Sequence, residues 1–271
     1  MSRSFKLTIA YDGTEFAGWQ VQPGKPTIQG SLQDAFVALT GQKVQVVGSG
    51  RTDSGVHAIA QVASCHLHWR DEATRLVRAL NCHLPDTIAV TDAEDAKPGF
   101  HAIRDSIKKR YRYQLQVGGV RDPFEHRYRW HLHRPLNLKA MRDAASHIVG
   151  RHDFRSFQAA GSDRKTTVRE VTVCDIREEQ QSRCQGIHLA IEVEADGFLY
   201  NMVRNIVGTL VEIGRGKQPA KWVEAVLAAR DRDLAGPTAP SHGLFLASVT
   251  YPDACTTGGL PEGSGGCHTR E

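Results

Sequence analysis

The segment Gly48-Ser49-Gly50-Arg51-Thr52-Asp53-Ser54-Gly55-Val56-His57-Ala58 lies between two stretches in which apolar and polar residues alternate. These stretches, about 43–48 and 59–69, are typical of β-strands. Three glycines within eight residues allow the backbone to adopt positive φ angles and to approach another molecule closely. The pattern predicts a glycine-rich loop held between two strands, which would give Arg51 and Asp53 fixed positions.

The loop alone leaves two interpretations of Asp53 open. Asp-Ser-Gly is ordinary turn chemistry, because an aspartate side chain can hydrogen-bond to its own backbone. Alternatively, a carboxylate in a rigid loop can act as a nucleophile or base. A nearby arginine would then be needed to keep it ionised, because burial raises the pKa of a carboxyl group.

The bulk composition indicates an ordinary globular protein. The chain has 271 residues, enough for one large or two modest domains, with 40% hydrophobic and 24% charged residues. It contains no run of about 18 apolar residues, and the first residues lack the apolar core of a signal peptide. We therefore expect a cytoplasmic protein that does not enter a membrane.

The cysteines do not form a metal-binding pattern. The six cysteines, at 65, 82, 174, 184, 255 and 267, include no Cys-x-x-Cys pair, so a structural metal is not expected. In Cys65-His66-Leu67-His68, a strand would place the two histidines on the face opposite Cys65. These histidines could form a two-histidine surface, or they could face solvent or phosphate.

Positive charge is concentrated in residues 100–134. This window contains nine Lys and Arg residues and three acids, whereas the net charge of the whole chain is +4. It also contains aromatic residues, among them Tyr111, Tyr113, Phe124, Tyr128 and Trp130. Basic residues interleaved with aromatics suit nucleic acid, although a solvated basic strand face would have the same composition.

The order of predicted elements in the first half is βαββαβ. A strand over 5–11 precedes a helix that has Ile28 and Leu32 on its apolar face and ends at Gly41. The two strands around the loop follow, then a helix that stops before Pro85 and a strand over 87–96. This order is that of the ferredoxin-like fold.

The second half repeats this order with additions. Strands are predicted over 107–117, 127–132, 168–176, 187–194 and 244–251, and helices over 199–213 and 219–230. A further helix is predicted between Asn137 as its N-cap and Gly150 as its end.

We therefore predict an α+β protein made of two tandem ferredoxin- or RRM-like units. Together they would form one extended mixed, mainly antiparallel sheet with helices on one face, as in RRM-type RNA readers. The expected divisions are an N-terminal subdomain at 1–104 that carries the Asp53 loop, a C-terminal subdomain at 105–253 and a flexible tail at 254–271.

Seven sequence blocks, in order and at compatible spacing, resemble the TruA family of tRNA pseudouridine synthases over nearly all of 5–251. The blocks are Tyr11-Asp12-Gly13-Thr14-x-Phe16-x-Gly18-Trp19-Gln20, Gly50-Arg51-Thr52-Asp53-x-Gly55-Val56-His57-Ala58, Phe100-His101-Ala102, Arg110-Tyr111-Arg112-Tyr113, Asp153-Phe154-x-Ser156-Phe157, Met202-Val203-Arg204-Asn205-Ile206-Val207-Gly208 and Ala239-Pro240-x-x-Gly243-Leu244. The chain departs from the family in two places. Tyr200 and Asn201 stand where some relatives carry histidine, and the glycine-rich tail has no counterpart.

The resemblance implies a pseudouridine synthase fold and an activity. The implied reaction is isomerisation of uridine to pseudouridine at positions 38, 39 and 40 of the tRNA anticodon stem-loop, by a homodimer without a cofactor or metal. The family's nucleophile maps onto Asp53, and its arginine partner onto Arg204. Its substrate-stacking tyrosine maps onto Tyr111, and the arginine that holds the base out of the stack onto Arg51.

Taken without the family, three of the side chains considered for the site have other possible roles. Arg204 falls at the edge of a helical apolar stripe and could be solvated, while Gly208 one turn later leaves room for another segment. Tyr111 shares a strand face with Tyr113 and could belong to the core. His57 could relay a proton, or it could make a structural hydrogen bond within the loop.

Two further hypotheses come from other functional classes. A non-catalytic tRNA-binding protein or RNA chaperone on the same fold would bind RNA with a steep salt dependence and leave its uridines unchanged. A metal- or aspartate-dependent hydrolase would use the histidine-rich segments, but the absence of paired ligand spacing speaks against it.

Overall fold

The structure is a computed structural model that describes residues 2–159, 161 and 166–255. Of the predicted tail, residues 256–271 lie outside the described residues. The strands are β1 (Ser2–Tyr11), β2 (Val47–Gly48), β3 (His57–His68), β4 (Ile88–Asp95), β5 (Lys108–Val117), β6 (Trp130–Leu132), β7 (Gly150–Asp153), β8 (Val168–Gln181), β9 (Ile187–Ala195) and β10 (Leu244–Thr250). The α-helices are α1 (Ile28–Thr40), α2 (Ala73–Asn81), α3 (Leu138–Ser146), α4 (Met202–Gly214) and α5 (Trp222–Ala229).

The two halves of the chain have the same strand order. In the first half, β1 lies between β4 and β3, and β2 pairs with β3, all antiparallel. In the second half, β5 lies between β10 and β9, and β8 pairs with β9, again antiparallel. This confirms the predicted pair of βαββαβ units, with β6 and β7 as additions to the second.

The halves join through a short parallel contact between β3 and β10. Phe245 pairs with His57 and Leu246 with Ala58, which makes the described strands one ten-stranded mixed sheet. Beyond this contact the start of the glycine-rich loop lies against the edge of β3. The Ser49 amide donates to the Val62 carbonyl at 2.7 Å, and the Gln61 side chain donates to the Gly50 carbonyl at 2.9 Å. The loop that carries Asp53 thus begins where the two halves meet.

All five described helices share one apolar core with one face of the sheet. Tyr111, Tyr113 and Leu115 of β5 belong to the same buried cluster as Leu32 of α1 and Met202 of α4. The opposite face has only a small described cluster, formed by Val62, Ala96 and Phe100. The predicted arrangement, with helices on one face, is therefore confirmed. No helix in the described ranges is long and apolar enough to cross a membrane.

Two of the predicted elements were wrong in detail. The strand expected over 43–48 is reduced to β2, because the Val46 carbonyl accepts a hydrogen bond from the Gln29 side chain instead of from a neighbouring strand. Gly150 does not end the third helix. That helix stops at Ser146, and Gly150, with φ 119°, begins the unpredicted strand β7.

Much of the positive charge in 100–134 is neutralised within the chain. On the face of β5 opposite the helices, Arg110 pairs with Glu194 at 2.8 Å and Arg112 with Glu192 at 2.7 Å. Arg129 pairs with Glu125 at 2.9 Å. The charge excess read from the sequence is therefore not a single free cationic surface.

Candidate active site

The loop around Asp53 is fixed from both sides. The Trp19 amide donates to the Thr52 carbonyl at 3.0 Å, and the Val56 amide donates to the Asp53 carbonyl at 3.1 Å, closing a turn. Gly18 allows this close approach, because it has φ 101° and a Cβ there would lie 2.5 Å from the Thr52 carbonyl oxygen. Asp53 is half-buried and sits on a rigid backbone.

Tyr11, at the end of β1, also contacts this loop. Its hydroxyl shares a 2.8 Å hydrogen bond with the Thr52 hydroxyl, and burial raises the pKa of Tyr11 to about 12. No role was predicted for this residue, although it opens the first of the seven blocks that carry the family resemblance.

His57 occupies a structural position rather than an exposed one. Its Nδ1 accepts from the Gly13 amide at 3.0 Å, and its Nε2 lies 3.1 Å from the His242 carbonyl oxygen. The ring stacks on Phe245 with centroids 4.7 Å apart. Burial lowers the pKa of His57, and the Asp12 carboxylate, 3.1 Å from Nδ1, opposes that shift. These contacts support the structural alternative over the proton relay.

Arg204 is held in place at the start of α4. Its Nε donates to the Ala239 carbonyl at 2.7 Å, and its Nη1 donates to Asn201 Oδ1 at 2.9 Å. One turn later, Gly208 touches the Pro237 carbonyl, where a Cβ would collide. The room that Gly208 was expected to leave is thus filled by another segment, and Arg204 is half-buried rather than solvated.

Asp53 and Arg204 are electrostatically coupled. Burial raises the pKa of Asp53, and the positive charge of Arg204 opposes that rise without cancelling it. Among the described residues the two side chains form no direct ion pair. Arg204 therefore acts on the free carboxylate through space.

Tyr111 lies in the same region of the sheet. It pairs with Leu246 of β10, which in turn pairs with Ala58 of β3, so Tyr111 is two strands from the end of the loop. Its ring is almost fully buried and meets Phe198 edge-on, with centroids 4.9 Å apart. Burial raises the pKa of Tyr111, and the charge of Asp53 raises it further.

Arg51 is the only one of the four predicted site residues on the surface of the protein. It is exposed on the loop, two residues before Asp53. In the part of the chain that the structure describes, it makes no hydrogen bond or ion pair. Arg204 thus influences the pKa of Asp53 and Asp53 influences that of Tyr111, while Arg51 is exposed on the same loop as Asp53.

One segment that sequence reasoning missed connects these elements. Residues 232–243, called here the crossing segment, contact Arg204 through the Ala239 carbonyl and accept a 2.8 Å hydrogen bond from the Tyr113 hydroxyl at Pro240. Ser241 lies against Gly55 of the loop. The motif Ala239-Pro240-x-x-Gly243-Leu244 was the signal, but only contacts between distant residues give it a role.

Comparison with known proteins defines the class. A family model described as tRNA pseudouridine synthase matches residues 7–103 and 144–252. These ranges include Asp53 and Arg204, although residues 104–143, with Tyr111, lie between them. The chain therefore belongs to the tRNA pseudouridine synthase family, a family of isomerases.

Individual relatives agree with this assignment. The chain is 46% identical over 248 residues to the tRNA pseudouridine synthase A of Moorella thermoacetica, covering 91% of this chain and 98% of the relative. It is 44% identical to that of Myxococcus xanthus, covering 95% and 96%, and 45% identical to that of Bacillus subtilis, covering 91% and 98%. Among solved structures, a dye-decolorizing protein from V. cholerae covers 80% of this chain and 87% of its own, with a TM-score of 0.20 and 10% identity, too low to bear on the fold or the function.

Proposed function

We propose that this protein isomerises uridine to pseudouridine at positions 38, 39 and 40 of the tRNA anticodon stem-loop, with Asp53 as the nucleophile. The family membership supports the reaction class. The observation that supports the site assignment is that the crossing segment holds Arg204 through the Ala239 carbonyl and, two residues later, lies with Ser241 against Gly55 of the Asp53 loop.

The reaction needs an ionised carboxylate and no net gain or loss of atoms. The bond from C1′ to N1 breaks, the uracil rotates, and a bond forms from C1′ to C5. The hydrogen lost from C5 is balanced by the one gained at N1. Attack on C1′, addition to C6 and removal of a sugar proton all begin with a negatively charged Asp53, which is regenerated at the end. Arg204 serves this step by favouring the charged form.

The target base must leave its helix before it can react. Tyr111 would supply an aromatic surface against which the everted uracil stacks, worth about 1–3 kcal/mol. Arg51 would occupy the position that the base has left, since it is exposed on the same loop as Asp53. Asp53 and Tyr111, which are half-buried and almost fully buried, would then contact the everted base. Arg51 would contact the RNA that the base has left.

We also propose that the protein acts as a cytoplasmic homodimer that contacts the anticodon stem-loop with both subunits. A single open sheet offers a limited surface for a molecule as large as tRNA. Light scattering at micromolar concentration tests this part, and a monomeric mass would contradict it.

Replacement of Asp53 by Asn tests the assignment. The variant keeps the size of the side chain but cannot ionise, so it should bind tRNA with nearly unchanged affinity and form no pseudouridine. Incubation with tRNA transcripts, followed by mapping of the modified positions, measures both the activity and its sites. Asp34→Asn, an exposed change on α1, is the matched control. Retained turnover in the Asp53 variant would end the assignment, and tRNA binding by an unmodifying wild type would favour the non-catalytic alternative.

A further inference from the structure

Asn201 begins α4 with an unusual backbone and an unusual partner. Its φ is 59°, in the left-handed region, and its carbonyl accepts the Asn205 amide at 2.9 Å. Its side chain does not cap the helix amides. Instead, Oδ1 accepts from Arg204 Nη1 at 2.9 Å. The side chain is thus committed to the arginine rather than to the helix.

This contact fixes one end of the Arg204 guanidinium while the crossing segment fixes the other. Nε is bound to the Ala239 carbonyl at 2.7 Å. A guanidinium has five N–H donors in a rigid plane, so two anchors at different nitrogens determine the orientation of the whole group. Among the described residues, the other donors are left for the carboxylate or the substrate.

We propose that Asn201 is a positioning residue that orients Arg204 towards Asp53 without touching the reacting base. The inference rests on the proposed roles of Asp53 and Arg204. An arginine with a single anchor can rotate about its long side chain and would spend less time where its charge acts on Asp53. Asn201 therefore sets the rate of the chemical step through Arg204.

Two substitutions at this position separate the side chain from the backbone. Asn201→Gly and Asn201→Ala both remove the acceptor oxygen, but only glycine adopts a positive φ without strain. If the hydrogen bond matters, both variants lose about 10- to 100-fold in kcat, as expected for loss of a bond to a charged group. The KM for tRNA should change less than about threefold, and the acid limb of the pH profile of kcat should move to higher pH in both.

Arg230 provides the matched control, since it also has a positive φ of 54° but is exposed at the end of α5. Arg230→Gly and Arg230→Ala change a residue with positive φ and remove only an exposed ion pair to Asp153 at 3.2 Å, so both should leave kcat unchanged. The proposal is wrong if Asn201→Gly retains the wild-type kcat while Asn201→Ala loses it, because the role would then be conformational. It is also wrong if KM rises with kcat unchanged, because Asn201 would then contact RNA itself.

Parallel measurement of Asp53→Asn and Arg204→Gln keeps this inference separate from the proposed function. Turnover by the Asp53 variant would overturn the proposed function and, with it, the role of Asn201. Inactive Asp53 and impaired Arg204 variants beside a fully active Asn201→Gly would overturn only the inference about Asn201.

Discussion

At the scale of single residues, two effects shift the pKa of the Asp53 carboxyl group in opposite directions. Burial raises the pKa of Asp53 and Arg204 lowers it, and burial is the larger effect. A carboxyl group whose pKa is raised on folding stays protonated up to a higher pH in the folded protein than in the unfolded chain. It also lowers the stability of the folded protein at a pH where both states are ionised, because the native site must hold a partly desolvated charge. Function and stability therefore make opposite demands at this position.

The first prediction follows from this balance. Replacing Arg204 by Gln removes the influence that lowers the pKa of Asp53, so the pH at which activity appears should move upward. The rate rises as Asp53 loses its proton, and the raised pKa shifts that rise towards neutral pH. Single-turnover rates measured across the acid range report the shift. An acid limb that stays in place would mean that Arg204 does not act through the ionisation of Asp53.

His57 provides the second prediction, which separates the two roles considered for it. The side chain is buried and satisfies the Gly13 amide and carbonyl oxygens of the second half. His57→Ala should therefore lower the free energy of unfolding by about 2–4 kcal/mol, through loss of packing and unsatisfied polar groups. Urea denaturation measures this change. A proton relay would instead give a lower kcat with unchanged stability.

At the scale of elements, the site depends on the contact between α4 and the crossing segment. Gly236 packs on Thr209, Pro237 on Gly208 and Ala239 on Arg204, one after another along the helix. The buried Asn205 side chain accepts a 2.7 Å hydrogen bond from Thr238. Because Ser241 of the crossing segment also lies against Gly55, this contact links Arg204 in the second half of the chain to the Asp53 loop in the first half.

Gly208 provides the third prediction. In Gly208→Ala the new methyl group would meet the Pro237 backbone carbonyl, which cannot move without the rest of the crossing segment. We expect a loss of about 1–3 kcal/mol in stability from overpacking, although alanine is the better helix former. The loss should come with a reduced kcat, because Ala239 is displaced from Arg204.

Gly197→Ala, shortly before the same helix, is the control for this change. The methyl group there would lie 3.4 Å from the Arg169 side chain, which is ordinary van der Waals contact. Thermal or urea unfolding of both variants gives the comparison. Equal stability of the two would mean that the contact at Gly208 is looser than the structure shows.

The same elements show what the sequence could and could not predict. Gly41 and Gly150 both follow an apolar helical stripe, yet only Gly41, with φ 68°, ends its helix, while Gly150 begins a strand. Local pattern cannot separate these cases, because pairing of β7 with β8 decides the second. The position of Asp53 in a glycine-rich loop next to β3 could be predicted, since such a loop is a local feature, whereas its role as nucleophile came from the family resemblance. Asn201 could not be given a role. Its partner, Arg204, lies three residues later on α4, and the sequence does not define where that helix begins.

At the scale of the whole molecule, two groups of cationic side chains can be distinguished. Cations such as Arg110 and Arg112 lie on the sheet face opposite the helices and are paired with glutamates. Arg51 is exposed on the glycine-rich loop, two residues before the proposed nucleophile Asp53. Binding of tRNA releases counterions only for cations that contact phosphate, so the total charge of a segment does not predict its share in binding.

The last prediction compares these two kinds of cation directly. In an Asp53→Asn background, which should bind without turnover, Arg51→Ala should reduce the slope of log affinity against log salt by about 0.7–0.9, the value for one lost phosphate contact. Arg112→Ala should change the slope much less, because its charge is already balanced by Glu192 at 2.7 Å. Filter binding or fluorescence anisotropy with tRNA over a range of salt concentrations gives both slopes. If Arg112→Ala lowered the slope as much as Arg51→Ala, the RNA would contact the open face of the sheet as closely as it contacts the loop that carries Arg51.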